Sequence, residues 1–85
     1  MNIFQVEGEP AAEDELARIW LRASDPSAVT TAQAQADQLL ARDPLTHGRH
    51  LSEGLYRLDV PPLILTYTIN PANRLVEVTW VRSVP

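Results

Sequence analysis

One arginine, Arg57, stands inside "GLYRLDV" (54–60), a stretch whose alternation reads as a strand. A guanidinium in a strand interior has two uses. It holds a phosphate or carboxylate through its fork of donors, or it lies on a wet sheet face and pairs with a neighbour such as Asp59 or Glu77, a contact worth little to stability. Arg82, at the end of a second strand-like run, poses the same choice. Arg74 and the loop stretch "HGRH", with His47, Arg49 and His50, add candidate contacts to a phosphate or a partner. The two histidines are the side chains that titrate near neutral pH. With Glu53 the one carboxylate beside them, they do not make a metal set, and neither a metal nor a cofactor is expected. No Ser–His–Asp order, P-loop or paired-carboxylate spacing is present. The chain has no cysteine, which removes disulfides, thiolate nucleophiles and Cys-type zinc sites.

Residues 1–85 suffice for one small domain. Apolar residues make up 45%, enough for a folded core and too many for disorder. Net charge is −4, which opposes non-specific phosphate binding. The charge is unevenly spread. Residues 1–43 hold eight acids and three arginines, whereas residues 44–85 hold three acids and four arginines. The acidity thus belongs to the first half. All seven basic residues are arginine, a bias that charge alone does not explain and that reads as genomic base composition. No run of about 18 apolar residues offers a membrane span. The N-terminus lacks the pattern of a secretory signal, so a cytoplasmic location without membrane partners is expected.

Groups of this kind need a scaffold. "NIFQV" (2–6) reads as a short strand ended by "GEP". Pro10 suits a first helical turn, and Ala12, Leu16, Ile19, Trp20 and Ala23 recur at helical spacing over about 10–23. Early acids and later arginines complement the helix dipole, with Asp14 and Arg18 four apart in the favourable order. Asp25 is a good N-cap and Pro26 a good first residue for a second helix to about Arg42, its stripe running through Val29, Ala32, Ala36, Leu39 and Leu40. The short link makes the two an antiparallel hairpin. Residues 43–54 read as a loop opened by Pro44 and loosened by Gly48 and Gly54.

Three strands follow, 55–60, 63–69 and 75–82. Tyr56, Leu58 and Val60, then Leu63, Leu65, Tyr67 and Ile69, then Val76, Val78 and Trp80 form the apolar face. Arg57, Thr66, Thr68, Glu77 and Thr79 form the other, which an antiparallel sheet tolerates in water. On this pattern Trp20 and Trp80 are core residues. The order is strand, helix, helix and three strands (β-α-α-β-β-β): an α+β, two-layer domain with a helix hairpin packed on a mainly antiparallel sheet.

This order, with "AAEDELARIW" (11–20), "ADQLLARDP" (36–44), "GLYRLDV" with "LTYTI" (54–69) and "RLVEVTWVR" (74–82), resembles the RelE/ParE superfamily of bacterial toxins from type II toxin–antitoxin systems. Members commonly carry an A-x-x-acid-L-x-x-I-aromatic helix, an L-x-x-x-P end to the second helix, an arginine in the next strand, a tyrosine ending the following one, and a V-x-V-x-x-V closing strand with a basic end. The match spans almost the whole chain. It implies a plasmid-stabilisation-like toxin that binds a small antitoxin and inhibits the ribosome or a DNA topoisomerase. In RNA-cleaving members, basic groups on the open sheet face bind the phosphate at the cut. Arg57 matches the first strand arginine and Arg82 the basic end of the last strand, which makes them the catalytic candidates. "LILTY" lacks the arginine common before the strand tyrosine, only "SVP" follows Arg82, and no lysine is present. RNA cleavage needs groups that exchange protons and stabilise developing charge. The departures therefore favour ParE-like inhibition through a binding surface. Two other functions fit the same residues: a ribosome-dependent endoribonuclease using Arg57, Arg82 and the "HGRH" loop, and a non-toxic interaction module or homodimer.

Overall fold

The computed structural model of the chain describes residues 3–84. A proline opens each helix. Helix α1 spans Pro10–Arg22 and α2 spans Pro26–Arg42. The Asp25 carboxylate accepts from the Ala28 N–H at 3.3 Å and caps α2, as the Asp25–Pro26 pair predicts. The second such pair does the same work. Asp43 accepts from the Thr46 N–H at 3.3 Å and from the Thr46 hydroxyl at 2.6 Å, closing a one-turn helix α3 at Pro44–His47. The expected loop over 43–54 is therefore replaced by α3 and by a strand, β2, at Arg49–Ser52. Gly54, at φ +76°, makes the turn from β2 into β3, Leu55–Val60, in a conformation that glycine adopts without steric cost.

The sheet is completed by β1 at Gln5–Gly8, β4 at Leu63–Asn70 and β5 at Leu75–Ser83. The first strand lies later than 2–6, and Asn2 falls outside the described residues. Strand order is β1-β5-β4-β3-β2. Among the described residues only β1 runs parallel to its neighbour, because the helix hairpin carries the chain across one face between β1 and the meander. The α+β, two-layer class expected from the sequence stands, with α3 and β2 added.

The core lies between that hairpin and the sheet. α1 rests on β5, and α2 on β3 and β4. Ala12, Ile19, Val29, Ala32, Ala36 and Leu40 from the helices meet Leu58, Leu63, Leu65, Tyr67, Val76, Val78 and Val81 from the strands. The expected Asp14–Arg18 pair does not form. Glu15 instead accepts from Arg18 at 3.2 Å and Arg22 at 3.3 Å, on the solvent side of α1.

Tyr67 ties α3 to the sheet. Its ring is fully buried, and its hydroxyl donates to the Pro44 carbonyl at 2.6 Å. Burial, with a smaller push from Tyr56, raises its pKa from 10.0 to about 12. A phenol raised in this way keeps its proton longer in the folded state. Its contribution to stability is whole below about pH 10 and is lost as pH climbs toward 12, by ~2–3 kcal/mol for two pKa units. Urea unfolding at pH 9 and pH 11.5 is expected to show this alkaline loss in the wild type. Tyr67→Phe, which has no proton to release, is expected to flatten that part of it. An equal alkaline decline in both proteins would place its source elsewhere.

Candidate functional site: an arginine triad on the open sheet face

The pairing register places Arg49, Arg57, Thr66 and Trp80 in one row across β2, β3, β4 and β5. The next row toward the far end of β3 holds Asp59, Ile64 and Arg82. Both rows point away from the helices. Ile64 shows this directly: it is buried, yet it is no part of the helix-side core.

Arg57 is the hub. Its Nε donates to Asp59 Oδ1 at 2.7 Å and its Nη2 to Asp59 Oδ2 at 3.0 Å, a two-point fork. Of the partners open to it in sequence, Arg57 takes Asp59 rather than Glu77, which stands opposite Thr68 in a different row. The hydrogen bond from Arg57 holds the Asp59 carboxyl below the usual carboxylate range, and the charges of Arg57, Arg49 and Arg82 pull the same way. The same bond raises Arg57 in turn. Three guanidinium groups thus act on one carboxylate.

Trp80 belongs to this face and not to the core. A β-bulge between Thr66 and Tyr67 of β4 and the facing β5 residues pairs Thr66 with Trp80 but Tyr67 with Val78. Thr79 is the extra residue, and the alternation of β5 changes phase there. Val81 takes the core position that spacing assigns to Trp80. Trp80 is left 46% exposed, with the Arg82 guanidinium 5.2 Å from its ring centre, within cation–π range. Thr66 and Thr79 join hydroxyls at 3.0 Å beside them. Trp80 and its place next to Arg82 are what sequence reasoning missed. The signal was present in the spacing Val76, Val78, Val81, a period of two followed by a step of three.

The remaining candidates scatter. His50 lies on the helix side of β2, edge-on to Tyr56 at 5.3 Å between ring centres. His47 closes α3 and is exposed. Arg49 alone of "HGRH" joins the triad. Arg74 sits at φ 50° in the turn before β5, roughly 26 Å from Arg82 at the usual strand rise. The strands bring no histidine onto the open face among the described residues. As built, the face can grip an oxyanion and lay a flat group against Trp80.

A further exposed apolar surface is on the helices. Trp20 is expected in the core but is 46% exposed, its Nε1 donating to the Thr30 hydroxyl at 3.2 Å across the hairpin. With Leu21, 75% exposed, it borders a groove of about 510 Å³ with Leu16, Ala17, Val29 and Gln33. No helix among the described residues is long and apolar enough to cross a membrane.

Among solved structures, a chain of the toxin–antitoxin complex RelBE2 from Mycobacterium tuberculosis matches over 98% of this chain and 93% of its own, at TM-score 0.81 and 21% identity. The chromosomal ParDE system of P. aeruginosa matches over 100% of both chains, at TM-score 0.72 and 13% identity. The chain has the RelE/ParE toxin fold. The isolated E. coli RelE toxin shares it, at TM-score 0.69 and 13% identity, over 98% of this chain and 85% of that one. No family model matches the sequence, and no curated protein matches it. The fold is thus shared with these structures at 13–21% sequence identity.

Proposed function

We propose that this chain is the toxin component of a bacterial type II toxin–antitoxin pair, working in the cytoplasm. In this reading a small antitoxin binds it, and the open sheet face meets the cellular target. The observation that carries the reading is the Arg49–Arg57–Arg82 triad with Trp80, displayed by a RelE/ParE fold on the face its helices leave open. The Trp20–Leu21 groove supplies the apolar seat for an antitoxin segment, and Glu13 in its wall favours a segment that carries a basic residue. The triad binds anions through fixed positive charge. Its one carboxylate is held ionised, so the face is equipped to occupy a target surface rather than to shuttle protons at neutral pH. Inhibition of a DNA topoisomerase or of the ribosome by occupation follows.

A second reading, endonucleolytic cleavage of mRNA on the ribosome, draws on one feature. Trp80 beside Arg82 offers a stacking surface for a base next to groups that hold a phosphate. Induced expression in a bacterial host tests both. Wild type is expected to arrest growth, and the double variant Arg57→Ala/Arg82→Ala at equal soluble level is expected to relieve it. Mapping of mRNA ends during arrest separates cleavage from occupation. Equal arrest by the double variant would remove the triad from the activity. No arrest by a soluble, folded wild type would leave an interaction module or a homodimer.

A further inference from the structure

We propose that Asp59 is a built-in anion standing where the open face receives a phosphate group, so that it lowers the affinity of the arginine triad for phosphate until it is displaced. This deepens the reading of that face as the working surface. Asp59 offers Arg57 two oxygens, at 2.7 and 3.0 Å, in the two-point geometry that a phosphate takes from a guanidinium. It stands in the row of Arg82 and beside the row of Arg49 and Arg57, so that Arg57 pairs with it while the charges of Arg49 and Arg82 bear on the same carboxylate. Among the described residues its two hydrogen bonds both come from Arg57. The Asp59 side chain is 51% exposed and that of Arg57 28%, so a ligand reaches both without opening the fold.

A swing of the Asp59 side chain about its own torsions frees the fork of Arg57, and an incoming phosphate then takes the same two donors. No bond is made or broken in this exchange. It is a competition between two anions for one cation, and its strength is that of an exposed ion pair. Such a pair competes by a factor of about five at most, and less as salt screens it. Among the four charged groups of the site the balance is three positive charges against one negative, and neutralising Asp59 leaves all three unopposed.

The test is binding of two probes to the purified full chain at low salt, followed by NMR titration. One probe is inorganic phosphate and the other a short single-stranded oligoribonucleotide. The proteins are wild type, Asp59→Asn, Asp59→Ala, and Asp59→Asn combined with Arg57→Ala. Both single variants are expected to bind phosphate about twofold to fivefold more tightly than wild type, and the combined variant is expected to lose that gain. A gain for both probes supports the proposal with a phosphodiester as the source of the anion. A gain for inorganic phosphate alone supports it with free phosphate as the source. Unchanged or weaker binding in both single variants would overturn it, as would a gain that survives Arg57→Ala. If Asp59 only stabilises the strand, thermal midpoints fall while affinities stay level, which also overturns it. Growth arrest plays no part in this measurement, so failure of the toxin reading and failure of this inference are told apart.

Discussion

Gly48→Ala is expected to destabilise the protein by roughly 3 kcal/mol or to prevent folding, the range in which overpacking of a rigid site falls. The glycine has an ordinary extended backbone, φ −92° and ψ 156°, so its conformation is open to any residue. Space is the constraint. A Cβ at residue 48 would lie 1.6 Å from the Tyr67 hydroxyl oxygen and 2.7 Å from the ring carbon that bears it. That hydroxyl cannot move aside freely, because it donates to the Pro44 carbonyl at 2.6 Å and its ring is fully buried and stacked on Tyr56 at 5.7 Å. Relief requires either the buried ring or the α3–β2 connection to shift. Chemical denaturation of Gly48→Ala beside Gly48→Ala/Tyr67→Phe measures the coupling. Removing the hydroxyl is expected to recover part of the loss, so the two substitutions do not add. A Gly48→Ala protein as stable as wild type would show that the connection yields easily, and the tie between Tyr67 and α3 would then carry little.

The second large effect is at Leu40. Leu40→Ala is expected to cost about 3–4 kcal/mol, because the residue is fully buried between α2 and the sheet and truncation leaves a cavity that packed neighbours only partly refill. A domain of 85 residues holds roughly 4–13 kcal/mol in all, so this one change takes a large share. Leu21→Ala is the control. That residue lies on α1 but is 75% exposed, and truncation is expected to change stability by less than about 0.5 kcal/mol. In the toxin reading, Leu21→Ala instead weakens the antitoxin. Equal losses from both leucines would contradict the burial pattern.

The helices were legible because their signals are local. Asp25–Pro26 states a cap and a first turn in two adjacent residues, and Ala32, Ala36, Leu39 and Leu40 state which side is buried. Asp43–Pro44 carries the same cap, but only one turn follows before Gly48, too short for a periodic stripe to show. β2 was illegible for a different reason. All four of its residues are exposed at the sheet edge, so no apolar alternation marks Arg49–Ser52 as a strand; pairing with β3 makes it one. The tryptophans misled because periodicity gives a phase and not a location. Trp20 falls at the margin of its helical stripe and opens onto the groove. Trp80 keeps strand phase with Val78 until the bulge at Thr79 breaks it.

Sequence by itself determined the layers. Alternation over residues 55–60 and 63–69, helical spacing over 10–42 and an acidic first half dictate a helix hairpin on one side of a sheet, with a near-neutral strand half that carries Arg57 and Arg82. These properties are short-range, and each follows from residues within one element. Tertiary structure alone decided which charges meet. Arg49, Arg57, Asp59 and Arg82 come from three strands, and a shift of one residue in any register would send a member of the cluster to the opposite face. The bulge in β5 is such a shift, and it is what places Arg82 and Trp80 together on the open face while Val81 fills the core.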